Sequence, residues 1–197
     1  MPMIDVIFPV RGGPVPLDHG YLLFSALSRR WPLFHERNDL GLFNLAGKRA
    51  EGNRLDVSRG QLRVRCQAEL FGPLLELTGA ELEVGGSRIA LGAPLGRPLL
   101  SPPALAARVV TIKGFMEEGP FREAVDRQLR AMGCEGHVEV GRRRVVDIAG
   151  DRVVGFQLVV SRLSPNHSVR LQEKGLGGRR HMGCGLFLPR IIREARR

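Results

Sequence analysis

The sequence predicts an α+β protein made of two consecutive β-α-β-β-α-β units. Three observations lead to this prediction: strand and helix patterns occur twice in the same order, a proline-rich segment separates the two series, and 197 residues suffice for two domains of about 90 residues each. Each unit is expected to cover one face of an antiparallel sheet with helices, which leaves the other face free for a ligand.

The first unit is predicted to span residues 1–92. Its elements are a strand at Ile4–Val10, a helix at Asp18–Arg30, strands at Gly41–Gly47 and Leu62–Cys66, a short helix at Glu69–Leu77, and a hairpin at Leu82–Leu91. Asp18 is expected to cap the first helix, and Ser58–Gly60 is expected to form a hairpin turn. In the strand at Leu62–Cys66, apolar residues alternate with Arg63 and Arg65, which predicts that both arginines point outward.

Residues 93–104 are predicted to connect the units, because four prolines among them disfavour a helix. The second unit is predicted over residues 105–197. Its elements are a strand at Leu105–Lys113, a helix at Pro120–Met132, a hairpin at Val138–Ser161, a helix at Asn166–Lys174, and a strand at Gly183–Leu188. The order repeats that of the first unit, so the predicted architecture is a tandem ferredoxin-like (RRM-like) fold.

The composition indicates a polyanionic partner. Lys and Arg number 30 against 20 Asp and Glu, and all but three of the 30 are arginine, which binds phosphate bidentately. No apolar run is long enough for a transmembrane helix, and the N-terminus does not resemble a signal peptide, so a cytoplasmic protein without a membrane partner is expected. The three cysteines form no C-x-x-C pair, so neither a disulfide framework nor a metal site is predicted.

A glycine-rich segment near the C-terminus is the most specific motif. Residues 175–185 read Gly-Leu-Gly-Gly-Arg-Arg-His-Met-Gly-Cys-Gly. Glycines let backbone N–H groups approach an anionic backbone while two arginines clamp it. The RNA-contact residues predicted here are Gly175, Gly177, Gly178, Arg179, Arg180, His181, Gly183 and Gly185. The simpler alternative is a glycine-rich loop that joins a helix to the last strand.

Placed in a tandem ferredoxin-like chain, this loop resembles the glycine-rich loop of the RAMP superfamily of CRISPR proteins. Further similarity lies in Asp18-His19-Gly20-Tyr21, in the stretch 110–114 (Val-Thr-Ile-Lys-Gly), and in the stretch 171–180 with 182–185. Together these segments resemble the Cas-six family of repeat-processing endoribonucleases, in the variant found with Myxococcus-type systems. The resemblance spans essentially the whole chain.

The resemblance implies metal-independent cleavage of CRISPR precursor RNA within the repeat, without a cofactor. The ribose 2′-OH attacks the adjacent phosphate and leaves a 2′,3′-cyclic phosphate and a 5′-OH. The implied partners are the repeat RNA, expected to form a stem-loop, the mature crRNA, and other CRISPR effector-complex subunits. The alternative is a non-catalytic RNA-binding RAMP subunit of such a complex, which would use the same loop and charge without cleaving.

The same resemblance ranks the candidate catalytic residues. His35 comes first, Tyr21 is a candidate helper hydroxyl, and His19 at the helix start is a second candidate histidine. Lys48 is a candidate cation at the scissile phosphate, with a solvated turn lysine as its alternative. The run Arg142, Arg143 and Arg144 enters the second hairpin, where either RNA contact or protection of a sheet edge explains it.

Overall fold

A computed structural model describes residues 2–37, 39–49 and 52–190, and they fall into two compact units. Unit 1 comprises the described residues up to Leu99 together with Val146–Val153 and Arg179–Gly183. Unit 2 comprises Leu100–Val145, Val154–Gly178 and the described residues from Cys184 onward. Both units contain antiparallel sheets and helices, so the predicted α+β class with tandem ferredoxin-like units is confirmed.

The sheet of unit 1 is built around β1 and β5. Its strands are β1 (Met3–Gly12), β2 (Val15–Pro16), β3 (Gly41–Leu42), β4 (Ala46–Arg49), β5 (Arg54–Gln67), β6 (Glu81–Val84), β7 (Ser87–Leu91) and β8 (Leu95–Pro98). Its helices are α1 (Gly20–Arg30), α2 (Leu33–Glu36) and α3 (Phe71–Leu74), with 3-10 turns at Ala68–Leu70, Leu75–Leu77 and Arg180–Met182. One edge of β1 pairs with β5, while β7 and β8 pair with β1 along its length.

Strand β5 is longer than predicted. It runs without interruption through Ser58–Gly60, so the hairpin turn predicted there is wrong. Gly60 is needed for a different reason: a Cβ at this position would lie 2.4 Å from the carbonyl oxygen of Ala46 on β4. The chain instead reverses before β5, where Gly52 and Asn53 both have positive φ. A glycine inside a strand thus marks close backbone approach rather than a turn.

Apolar and arginine side chains alternate along β5 as predicted. The face of the strand that carries the arginines is, however, buried at Arg65. Asp5 on β1 lies directly opposite Arg65, whose Nε donates to Asp5 Oδ1 at 2.7 Å. Arg63 donates to the other carboxylate oxygen at 2.7 Å, and the Phe43 ring lies 5.0 Å from the Arg65 guanidinium. Arg65 points to the outward face as predicted, but it is 0% exposed because this face is covered there.

Two further expectations for unit 1 differ from the structure. Asp18 does not cap α1; its carboxylate accepts a hydrogen bond from the backbone N–H of Asp147 at 2.5 Å, and His19 occupies the N-cap position. Strand β8 lies inside the segment predicted to be a connection, where it pairs with Ile4–Ile7 of β1. Backbone pairing at a sheet edge explains how a proline-containing segment becomes a strand.

Unit 2 has the ferredoxin-like strand order. Its strands are β9 (Leu105–Val110), β10 (His137–Ile148), β11 (Asp151–Ser161) and β12 (Phe187–Pro189), in the order β10-β11-β9-β12, and its helices are α4 (Glu118–Ala131) and α5 (Pro165–Lys174). Phe121, Val125 and Leu129, which are spaced four residues apart on α4, are buried. Across the ranges that the structure describes, no helix is both long and apolar enough to cross a membrane.

We expect loss of the Asp5 carboxylate to destabilise unit 1 strongly. Asp5→Ala would leave the fully buried Arg65 without its carboxylate partner, and removing one member of a buried ion pair costs about 3–5 kcal/mol. Urea unfolding measures this change. The matched control is Glu123→Ala, which removes an exposed partner of Arg127 at 3.9 Å and is expected to change stability by less than about 1 kcal/mol. Equal effects of the two substitutions would contradict the proposed importance of the buried pair.

Candidate functional site

A groove of about 400 Å³ runs along α1 and α2 of unit 1. Its lining residues are Tyr21, Phe24, Ser25, Ser28, Arg29, Pro32, His35 and Glu36. The α1 members are spaced at i, i+3, i+4, i+7 and i+8 from Tyr21, which places them on one helical face. Phe24 is 8% exposed at the floor, whereas His35 is exposed. The groove therefore offers an accessible imidazole beside an aromatic floor.

His35 is held at the groove by the short helix α2. Pro32 precedes this helix, and its carbonyl oxygen accepts a hydrogen bond from the His35 backbone N–H at 2.8 Å. Trp31 and Phe34 are both buried, with ring centroids 5.1 Å apart in an edge-to-face arrangement. These two aromatic side chains anchor the turn in the core, and His35, which directly follows Phe34 in sequence, is turned to the surface.

His19 has a structural role. It is 1% exposed, its Nδ1 lies 2.8 Å from the carbonyl oxygen of Pro16, and its Nε2 accepts from the backbone N–H of Leu45 at 2.8 Å. An imidazole with both nitrogens engaged in the interior cannot transfer a proton to an external substrate without breaking these bonds. The ring of His19 joins the start of α1 to the segment before β4, and these contacts favour a structural role over the predicted catalytic one.

Of the two other candidate catalytic residues, Tyr21 lies at the His35 groove and Lys48 does not. Tyr21 is half-buried and lines the same groove as His35, as expected of a helper hydroxyl. Lys48 lies on β4 opposite Asp56 and lines a separate depression of about 260 Å³ with Arg59 and neighbouring residues. The structure does not place Lys48 at the His35 groove, so the expectation that it neutralises a phosphate there is not retained.

The central part of the glycine-rich segment belongs to unit 1. Arg179 has a left-handed conformation with φ of 61°, Arg180–Met182 form a 3-10 turn, and Gly183 follows with φ of 81°. The turn brings the His181 ring to 4.7 Å from the Phe24 ring, centroid to centroid, while the His35 ring lies 6.2 Å from Phe24. Two histidines that are far apart in sequence thus flank one aromatic side chain.

Charge is concentrated beside this turn. Arg37 and Asp39 form a two-bonded ion pair at 2.8 and 2.5 Å. Asp39 also interacts electrostatically with Arg180, whose pKa is lowered by burial and by the neighbouring charge of Arg65. A desolvated arginine near a second buried arginine favours binding of an anion, since an anion would relieve the repulsion. Phosphate groups of a nucleic acid supply such anions.

Three glycines of the motif are explained by packing within the protein. A Cβ at Gly177 would lie 2.2 Å from the carbonyl oxygen of Thr111, one at Gly185 would lie 2.0 Å from that of Leu176, and one at Gly183 would lie 1.8 Å from Asn44 Oδ1. All three glycines have positive φ. This corrects the sequence-based reason for them, because the close approach they permit is to this chain's own atoms.

The remaining motif residues divide into two groups. Gly175 ends α5 with φ of 66°, which is a helix-terminating conformation. Gly178 has nothing within 4 Å of a Cβ built on it, so its outer side is open to a ligand. Arg179 and Arg180 are half-buried beside the turn. Phosphate contact through these three residues stays a prediction.

The arginine run of the second hairpin lies on β10, at one end of the sheet of unit 2. Arg142 and Arg143 are exposed and Arg144 is half-buried. Edge position and exposure are compatible both with RNA contact and with protection of the sheet edge. The structure therefore leaves these two explanations open.

Sequence reasoning missed Phe24, Asn44 and the Arg37–Asp39 pair. The helical spacing of Phe24 from Tyr21 carried a signal, since positions i and i+3 share a helix face. Nothing in the sequence indicated the other three residues. Asp39 interacts electrostatically with Arg180 and Asn44 lies against Gly183, each more than 130 positions away, and Arg37 is linked to this segment through its pair with Asp39.

Comparison with known protein sequences gives consistent matches. The family model of Cas6 (Cas6 Crispr) matches residues 4–191. The CRISPR-associated endonuclease Cas6 of Myxococcus xanthus strain DK1622 is 53% identical over 189 residues, which cover 96% of this chain and 82% of that protein.

Solved structures agree at the level of the fold. The product of a Cas6-related gene from Pyrococcus furiosus superposes with a TM-score of 0.66 at 13% identity, covering 98% of this chain and 100% of that one. Thermus thermophilus Cse3, bound to an RNA representing a pre-cleavage complex, gives a TM-score of 0.56 at 15% identity over 95% and 98% of the two chains. The extent of the family match and the identity to the Myxococcus xanthus protein show that this chain belongs to the Cas6 family.

Proposed function

We propose that this protein is an endoribonuclease that cleaves CRISPR precursor RNA within the repeat and produces mature guide RNA. Membership of the Cas6 family and 53% identity to an endonuclease of that family support the reaction class. The observation that carries the assignment to a site is the exposed His35 in the α1–α2 groove, next to the cationic turn 179–181.

The chemistry follows from the groups at this groove. The 2′-oxygen of the ribose attacks the adjacent phosphorus while the bond to the 5′-oxygen breaks, which leaves a 2′,3′-cyclic phosphate and a 5′-OH. One proton must leave the 2′-OH and one must reach the 5′-oxygen. His35 supplies one of these transfers, the Tyr21 hydroxyl donates a hydrogen bond to the reacting groups, and Arg179 and Arg180 stabilise the phosphate charge. No step requires a metal ion.

The proposed partners are the repeat RNA and the mature crRNA. A repeat that folds as a stem-loop would be recognised by shape and phosphate contacts, with a few bases near the cut. The exposed arginines of β10 are suited to phosphate contact. We place the reaction in the cytoplasm, and other CRISPR effector subunits are further candidates for binding the processed RNA.

Replacement of His35 tests the catalytic assignment. His35→Ala should lower the single-turnover cleavage rate by about 10²- to 10⁴-fold, the usual contribution of a general acid or base, while Tyr21→Phe should lower it about tenfold. The measurement uses protein in excess over labelled RNA that carries one repeat of the source organism's CRISPR array. The matched control is His137→Ala, because His137 is an exposed histidine on β10 outside the groove.

Three outcomes would contradict this proposal. Cleavage that stops in EDTA would rule out the metal-independent mechanism. Cleavage that survives replacement of the ribose at the cut site by its 2′-deoxy form would rule out 2′-OH attack. Tight binding of repeat RNA by the wild-type protein without any cleavage would favour the alternative of a non-catalytic RNA-binding subunit.

The arginines of β10 can be tested by the salt dependence of binding. Each phosphate contact contributes about 0.7 to 0.9 to the slope of log K against log salt, so Arg142→Ala with Arg143→Ala should reduce that slope by about 1.5. The control is Arg122→Ala with Arg130→Ala, which removes two exposed arginines of α4 in the same unit. An equal reduction in both double variants would show a general charge effect and leave edge protection as the explanation for the run.

Neighbouring glycines of the motif are expected to respond differently. Gly177→Ala should destabilise the protein by about 2 kcal/mol or more, since a left-handed conformation and a backbone contact both oppose a Cβ. Gly178→Ala should leave the unfolding midpoint unchanged but weaken RNA binding, because its open side is where a phosphate would approach. Unchanged RNA affinity of Gly178→Ala would remove this glycine from the interface.

A further inference from the structure

Two imidazoles contact the same phenylalanine at the proposed cleavage site. The ring centroid of Phe24 lies 4.7 Å from that of His181 and 6.2 Å from that of His35. The two histidines are close enough that the charge of His35 lowers the pKa of His181. Phe24 itself is 8% exposed, so it separates the two rings without contributing polar chemistry. A ribose-phosphate strand crossing Phe24 would pass both imidazoles.

We propose that His181 is a second catalytic residue of the cleavage site and accepts the proton of the attacking 2′-OH, with His35 as the proton donor to the leaving oxygen. This inference rests on the proposed function, but it assigns the glycine-rich segment a part in the chemistry as well as in RNA binding. It also divides the two required proton transfers between two named side chains.

The step balances in protons and electrons. A neutral His181 nitrogen takes the proton of the 2′-OH as the bond between the 2′-oxygen and phosphorus forms. The bond between phosphorus and the 5′-oxygen breaks, its electron pair stays on that oxygen, and protonated His35 donates a proton to it. The protein then holds the same number of protons as before, and exchange with water returns each imidazole to its starting form.

The surroundings of His181 favour its neutral form. Burial lowers its pKa, and the positive charges of His35 on α2 and Arg179 on its own turn lower it further. Arg180 follows in the same turn and interacts electrostatically with Asp39, and Glu36 of α2 is an exposed carboxylate in the same groove as His35. A histidine that remains neutral at neutral pH is suited to accept a proton.

Close packing holds the turn in place. A Cβ at Gly183 would lie 1.8 Å from Asn44 Oδ1, and a Cβ at Gly20 would lie 2.5 Å from the carbonyl oxygen of Met182. The turn that carries His181 therefore sits directly on the first residue of α1, whose later residues include Phe24. Such packing fixes the position of a proton acceptor, which general base catalysis requires.

Single-turnover cleavage and RNA binding separate catalysis from affinity. His181→Asn should lower the cleavage rate by about 10²-fold or more, while the Kd changes less than about threefold. Binding is measured with repeat RNA whose ribose at the mapped cut site is 2′-deoxy, so that it stays intact. His137→Asn is the matched control and should cleave at the wild-type rate. A second variant, His181→Ala, should recover activity when free imidazole is added.

The pH profile distinguishes a proton acceptor from a structural residue. Wild-type cleavage should fall as the pH drops through the lowered pKa of His181, because protonation removes the acceptor, and the midpoint should lie below 6.5. This acidic decline should be absent in His181→Asn and present in His35→Asn, whose residual rate remains measurable.

Failure of this inference is distinguishable from failure of the proposed function. If the wild-type protein cleaves the repeat and His181→Asn cleaves within threefold of it, or keeps the acidic decline, His181 is not the proton acceptor. A rate loss that matches the loss of affinity would make it a binding residue only. If the wild-type protein binds the repeat and does not cleave it, the proposed function itself fails.

Discussion

The buried ion pair between Asp5 and Arg65 joins β1 and β5, the two central strands of unit 1. The turn that carries His181 depends on this pair through the charge of Arg65. The residues stand directly opposite each other on β1 and β5, and Arg65 is 0% exposed. A buried guanidinium in this position requires its carboxylate, so the pair holds the two strands in one register. The Arg65 charge also reaches Arg180 and lowers its pKa, which connects the sheet to the turn that carries His181.

The proposed site in unit 1 combines an apolar surface, formed by Phe24, with an excess of positively charged side chains. Phe24 provides the floor, and the cationic side chains outnumber the carboxylates: Arg29, Arg37, Arg63, Arg65, Arg179 and Arg180 against Asp5, Glu36 and Asp39. Partly desolvated arginines in excess of carboxylates attract an anion more strongly than solvated ones, since water screens them less. Two imidazoles lie at the same place, so the groups required by the proposed ribose-phosphate cleavage are all present on unit 1.

Different residues of the glycine-rich segment have different roles: some stabilise the fold, and others are available to the proposed site. Gly177, Gly183 and Gly185 allow the chain to turn tightly against its own carbonyl and amide groups, whereas Gly178 keeps an open side. Gly183 packs against Asn44 within unit 1 and gives the preceding residues Arg180 to Met182 a defined position. The motif therefore combines structural glycines with Gly178, whose outer side is open.

The sequence by itself determined the class of the fold and the order of its main elements, and its excess of arginine predicted a polyanionic partner. Periodicity and composition are local or additive properties, and they were sufficient for these predictions, whereas His35 was singled out by the family resemblance. Only the tertiary structure decided that His19 is an internal hydrogen-bonding residue, that Arg65 is buried, and that His181 lies against Phe24. These outcomes depend on contacts between residues far apart in the chain, whose geometry no single segment encodes.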